Sequence, residues 1–228
     1  MRKNVQVDPA ELERLKLLTQ YEMALYRDGV RMIAGIDEAG RGPLAGPVVA
    51  AAVILPEGFA LPGVNDSKKL SAKVREELAG EIKKQAVCWA VGMVFPPHLD
   101  EINIYQATKL AMRRAVNALN IRPDHLIIDA VKLPELDIAQ TPLIKGDAKS
   151  ISVASASIIA KVERDFIMNG LEELYPGYGL AKHKGYATKE HIQALNDLGP
   201  SPVHRRSFEP VKSMVGGEAN GDQGRLFN

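Results

Sequence analysis

The chain has 228 residues, 46% of them apolar and 25% charged, so it can bury a substantial core and lacks the composition of a disordered or collagenous protein. Lys and Arg number 29 against 28 Asp and Glu, a net charge of +1, which excludes a uniformly basic surface and a strongly acidic tail. Cys88 is the only cysteine, which excludes an intramolecular disulfide and any cysteine-built zinc cluster.

The elements follow in chain order. Asp8, Pro9 and Glu11 make a helix start, and Leu12, Leu15, Leu18, Tyr21 and Leu25 recur at helical spacing until Asp28-Gly29 ends the run. Met32 to Ile36 is a short apolar run that predicts a buried strand ending at Asp37-Glu38. A glycine-rich turn, Gly40-Arg41-Gly42-Pro43, precedes a second strand over Val48–Leu55, and Pro56–Lys69 reads as loop. Ser71 caps a helix with Val74, Leu78 and Ile82 on its inner stripe. Trp89–Phe95 predicts a strand stopped by Pro96-Pro97, Ile104–Leu119 a helix, and Leu126–Asp129 a strand. Leu143-Ile144 predicts a short strand before Lys145-Gly146-Asp147. Ser152–Leu174 reads as a long helix whose first half is apolar all round and therefore buried. Thr188 caps a last helix over Lys189–Leu198, closed by Gly199.

Strands early and helices alternating later predict a mixed α/β layer fold. Three segments are expected: a helical extension over 1–30, the main domain over 31–212, and a flexible tail over 213–228. The N-terminus carries charges where a secretory leader needs an apolar stretch, and the longest uncharged apolar runs are too short to span a bilayer. A lone thiol in an apolar context, Cys88, reads as a small buried hydrophobe in a reducing compartment, so a cytoplasmic location and no membrane contact are expected.

Four acids, Asp37, Glu38, Asp129 and Asp147, stand where strands or loops end. Ligands of open α/β sheets collect at strand carboxyl ends, and neighbouring strands can bring Asp37 beside Asp129. Clustered carboxylates repel and are costly to desolvate, a cost that a divalent cation removes; oxygen-only donors favour Mg²⁺ or Mn²⁺ over zinc. Each acid taken alone reads more readily as a turn or cap residue. Gly40 to Ala45 formally matches G-x-G-x-x-A, but no helix opens there, so the dinucleotide reading does not apply. The segment reads as an exposed turn whose backbone N–H groups and Arg41 approach a ligand closely, or as a plain β-turn.

Several separated blocks then carry a resemblance. They are Gly35–Val48, Asn65–Leu70, Ile128-Asp129, Lys145-Gly146-Asp147, Ala154–Asp165, His183-Lys184-Gly185-Tyr186 and His204-Arg205-Arg206-Ser207-Phe208. Together they resemble bacterial ribonuclease HII, the type 2 ribonuclease H, from Ile33 to about Lys212. The resemblance implies a ribonuclease H-like mixed β-sheet flanked by helices, with a helical C-terminal part. It implies a metal-dependent endonuclease that hydrolyses the RNA strand of RNA–DNA hybrids. Cutting is expected 5′ of ribonucleotides embedded in duplex DNA, leaving 3′-hydroxyl and 5′-phosphate ends, as in ribonucleotide excision repair and DNA replication. Asp37, Glu38, Asp129 and Asp147 are the implied metal ligands, for two Mn²⁺ or Mg²⁺ ions per site with substrate bound.

Substrate choice needs a reader of the 2′-hydroxyl. The resemblance gives that to Gly40, Arg41 and Gly42, and implies that Tyr186 stacks on the sugar of the following deoxynucleotide. Asn65, Ser67 and Lys68 suit phosphate contacts, as does Lys69, which reads equally as a solvated residue; Arg205 and Arg206 read as a basic rim or as ion-pair partners, and Asp165 as structural. Gln223-Gly224-Arg225-Leu226-Phe227 resembles the short peptides by which replication proteins dock on the sliding clamp, with Gln223, Leu226 and Phe227 as anchors. A monomer is expected. The competing readings are a Mg²⁺-dependent phosphohydrolase of small phosphoesters, which would leave Tyr186 without a role, and a non-catalytic duplex-binding module, which would gain nothing from four acids.

Overall fold

A computed structural model describes residues 8–221. Two helices open it, α1 (Pro9–Leu18) and α2 (Gln20–Arg27), followed by strands β1 (Ile33–Ala39) and β2 (Val48–Ile54). Next come α3 (Ala72–Gln85), β3 (Cys88–Val94), α4 (His98–Asn117), β4 (His125–Asp129) and β5 (Ala139–Leu143). The C-terminal part is helical: α5 (Ile151–Leu174), α6 (Leu180–His183), α7 (Lys189–Leu198) and α8 (Val211–Gly221). The strands form one mixed sheet in the order β3-β2-β1-β4-β5. β1 runs antiparallel to β2 and parallel to β4, β2 antiparallel to β3, and β4 parallel to β5.

Alternation along the strands explains the layers. Val48, Ala50, Ala52 and Ile54 face α4, whereas Ala51 and Val53 face α3 and α5, so β2 is apolar on both sides and every residue of it is buried. Small residues let the helices come close. A Cβ on Gly35 would lie 2.1 Å from the Ser152 carbonyl carbon of α5, and one on Gly92 would lie 2.2 Å from the Ala111 oxygen of α4. Tyr26 of α2 packs with Ile33, Ile127, Leu143 and Val153, which docks the N-terminal helices on the sheet face beside α5.

The structure departs from the sequence expectations at several places. The first helix breaks at Thr19, whose hydroxyl donates back to the Lys16 carbonyl at 3.1 Å and competes with helix continuation. Leu12 consequently points outward, while Leu15 and Leu18 are buried. α4 begins at His98, and Asn103 interrupts it at φ 66, its side chain accepting from Tyr105 and Gln106 N–H to cap the half that begins at Ile104. Val74 is exposed; the inner face of α3 is Leu78, Ala79 and Ile82 with Arg75. The last strand ends at Leu143 instead of starting there, and Ile144 is exposed. Its sequence hid it because it is an edge strand that tolerates Pro142. The expected tail from 213 is helical through Gly221.

Candidate active site

β1 and β4 lie side by side and parallel, with Ile36 paired to Ile128. The next residue on each strand is an aspartate, Asp37 and Asp129, at the carboxyl end of the sheet. Oxygens of Asp37, Glu38 and Asp129 come within 4.8 Å of one another. Asp37 is only 5% exposed. Burial, then the charges of Glu38 and Asp129, raises its carboxyl well above the usual range, although Ser157 and the Glu38 N–H hydrogen-bond to it. Burial also raises Glu38, with Asp129 adding to it, while Arg41 works in the opposite sense from 3.4 Å. Asp129 Oδ1 accepts from the Gly146 N–H at 2.7 Å.

Asp147 stands apart from this trio. It occupies the short 3-10 turn Gly146–Ala148, outside the set of mutually close oxygens. It remains within electrostatic reach: burial, then Asp66 and Asp129, pushes its carboxyl upward. Burial opposes charge on Lys68, but Asp147, Asp66, Asp37 and Asp129 outweigh it and raise its pKa. A mutually repelling trio of hard oxygen donors, one of them buried, fits a Mg²⁺ or Mn²⁺ ion, which would relieve the repulsion more fully than Arg41 at the rim does.

Beside the acids lies a cleft of about 240 Å³, lined by Glu38, the Gly40–Gly42 turn, Ser67, Lys68, Lys161 and Tyr186. Gly40 sits at φ 92, and a Cβ there would lie 2.0 Å from Arg164 Nε; only glycine serves. Gly42 is open toward Tyr186, with 3.9 Å between its hypothetical Cβ and Tyr186 Cε1. Tyr186 is 47% exposed. Two phosphate-contact candidates fare differently from expectation. Ser67 lines the cleft but is buried, its Oγ 3.0 Å from Ser157 Oγ, whereas Asn65 spends its amide oxygen on the Asp66 N–H and lies outside the cleft lining.

Arg205 is no basic rim. It is fully buried, and its guanidinium donates to the carbonyls of Arg41 at 2.8 Å, Gly40 at 2.5 Å and Gly46 at 3.0 Å. Burial, then the charge of Arg164, lowers its pKa to about 9. Arg164 of α5, also buried, donates to Pro47, Ala45 and Lys184 carbonyls at 3.0, 3.1 and 3.0 Å. Among the described residues neither makes an ion pair. Arg205 serves the backbone of the turn, and Arg164 ties the stretch that follows it, Ala45 to Pro47, to the segment that carries Tyr186. Arg206 is exposed, and Asp165 pairs with Lys161 at 2.6 Å, as a structural residue would.

Sequence reasoning missed Ser157, Lys161 and both bracing arginines. Ser157 is one of several small residues on a buried helix face, so no local pattern marks it. Cys88 is buried as expected. The residues Gln223, Leu226 and Phe227 lie outside the described residues.

The Ribonuclease HII family model matches residues 34–211. A ribonuclease HII of Syntrophomonas wolfei is 59% identical over 217 residues, covering 95% of this chain and 85% of the relative. Among solved structures, the ribonuclease H2 of Pyrococcus horikoshii superposes with a TM-score of 0.69 at 27% identity, covering 83% of this chain and 99% of that one. The ribonuclease HII of Archaeoglobus fulgidus, solved in complex with PCNA, gives 0.68 at 32% identity over 78% of this chain and 95% of that one.

Proposed function

The chain belongs to the ribonuclease HII family and is an endoribonuclease acting on RNA–DNA hybrids; on that premise we propose that it also cuts 5′ of single ribonucleotides embedded in duplex DNA, leaving 3′-hydroxyl and 5′-phosphate ends. The observation that carries this reading is the carboxylate trio, Asp37 buried and Glu38 and Asp129 half-buried, opening beside a cleft with a glycine turn on one wall and a half-exposed tyrosine on another. Asp37, Glu38 and Asp129 would hold Mg²⁺ or Mn²⁺, with Asp147 completing the set when substrate and a second ion arrive. Such ions supply an acidified water and neutralise the departing 3′-oxygen.

The chain's own groups do the selecting. Arg205 occupies the carbonyls of Gly40 and Arg41, so the turn meets a 2′-hydroxyl with its N–H groups. Tyr186 stacks on the sugar that follows and senses the RNA-to-DNA junction. Lys68, and Arg41 from the rim, take phosphates. The reading places the enzyme in the cytoplasm as a monomer working in ribonucleotide removal and replication; no described helix is long and apolar enough to cross a membrane. The Archaeoglobus fulgidus relative binds PCNA, and the tail here is proposed to dock on a sliding clamp through Gln223, Leu226 and Phe227. Deleting the last six residues should abolish clamp pull-down without changing hydrolysis. A small-phosphoester hydrolase leaves Tyr186 and the turn without a task.

The test is a DNA duplex carrying one ribonucleotide, incubated with and without Mn²⁺. A single Mn²⁺-dependent nick 5′ of the ribonucleotide is expected, and full turnover in excess EDTA refutes the reading. Tyr186→Ala should slow that nick by about 10-fold or more, the scale of a lost positioning contact, while sparing continuous hybrid relatively; equal rates on both substrates would remove Tyr186 from junction sensing.

A further inference from the structure

Helices α1 and α2 contribute no residue to the cleft lining. α2 nevertheless carries a carboxylate, Glu22, that is 4% exposed. Its Oε1 accepts from the Ser150 hydroxyl at 2.5 Å and from the Ser152 N–H at 3.0 Å, while Oε2 meets no protein partner. Burying a carboxylate is an expensive way to fasten one helix to another, and an apolar contact would do it better. The place it grips is specific. Ser150 is the N-cap of α5, its hydroxyl also accepting from the Val153 N–H at 3.2 Å, so Glu22 sits where the helix dipole favours negative charge.

From that point three connections reach the acids. Upstream, residues 146–150 form one tight turn: the Lys149 and Ser150 N–H groups both donate to the Gly146 carbonyl at 2.9 Å, and Asp147 lies inside it. The Gly146 N–H donates to Asp129. Downstream, Ser152 rests against Gly35, two residues before Asp37. We propose that Glu22 is a positioning residue for the ion-holding acids: α2 locks the start of α5, and with it the Asp147 turn and the Asp129 carboxylate, in the geometry that binds a divalent cation. The proposal rests on the ion-site reading given above.

The test is calorimetric titration of Mn²⁺ into the full chain without nucleic acid, with amide exchange followed over residues 146–150. Glu22→Ala should weaken Mn²⁺ binding about 10-fold or more, the usual cost of losing support behind a metal ligand, and speed exchange in the turn; excess Mn²⁺ should restore cleavage. Glu22→Gln keeps an acceptor for Ser150 and Ser152 and should bind as the parent does. Wild-type Mn²⁺ affinity in Glu22→Ala, with only a lower melting temperature, overturns the proposal. Should Glu22→Ala not fold, Ser150→Ala severs one of the two links and should still lower affinity; unchanged affinity there overturns it equally. A parent protein that binds no Mn²⁺, or an Asp37→Asn variant that binds undiminished, disposes of the ion site itself and is thereby distinguishable.

Discussion

A carboxylate withdrawn from water beside two others is a local cost that the rest of the molecule must carry. Asp37→Asn removes one charge from the trio and keeps the shape, so metal-free protein should gain about 1 kcal/mol, or about 2–4 °C in melting temperature at this chain length. The same variant should lose hydrolysis, keep duplex binding and no longer be stabilised by Mn²⁺. A melting temperature that falls, or Mn²⁺ stabilisation equal to the parent's, contradicts the assignment. The arginines make the opposite case. Arg205 serves three carbonyls with one planar fork, a geometry a lysine ammonium cannot reproduce. Arg205→Lys should therefore cost about 2–3 kcal/mol of stability and raise KM for the single-ribonucleotide duplex; a parent-like melting curve and KM would show that the turn holds its shape unaided.

Among the elements, α7 and its surroundings show how local and distant information divide. Its bounds, Lys189 to Leu198, its Thr188 cap and its Gly199 stop were all legible, because caps are local chemistry. What the helix does was not. His191 Nδ1–H donates to the Tyr186 carbonyl, its Nε2 accepts from His204 Nε2–H, and His204 Nδ1 accepts from Ser201. Three neighbouring stretches within residues 186–204 thus meet in a neutral histidine chain that ends on the residue proposed to sense the junction. Burial, then the neighbouring charges of His191 and His183, lowers His204 from 6.5 to about 4. The unfolded chain therefore takes up a proton first as pH falls, and the histidine's contribution, about 3 kcal/mol at most, drains away from about 6.5 down to about 4. Asp37, Glu38 and Asp147 are shifted the other way and gain stability over acid pH, so the measurement is a difference. The gap in melting temperature between the parent and His204→Gln should narrow from pH 7 to pH 5, and a constant gap would refute the neutral chain. The same division explains the site. Asp37 and Asp129 were legible because apolar runs end at them, and the turn because of its glycines. Arg164, Arg205 and the Glu22 grip were not, since a hydrogen-bond partner more than a hundred residues away leaves no pattern in the surrounding sequence.

For the whole molecule, a net charge of +1 on an enzyme that holds a polyanion means that attraction is confined to the few cations around the cleft, Arg41 and Lys68 foremost. Affinity for a single-ribonucleotide duplex should fall with salt along a log–log slope shallower than about −8; a steeper one would imply far more phosphate contacts than this face offers. The matched segment, residues 34–211, contains both the turn and the group that braces it. Arg205 lies 165 positions beyond Gly40, and the backbone of Leu44 and Gly46 is likewise bonded to Arg205 and Val203. A ribosome delivers these partners last. A nascent chain can pleat its sheet and gather its acids while the turn still lacks its brace, so the turn geometry proposed to tell ribose from deoxyribose is completed only once residues 203–205 have emerged, and a product cut short before Val203 should lack it.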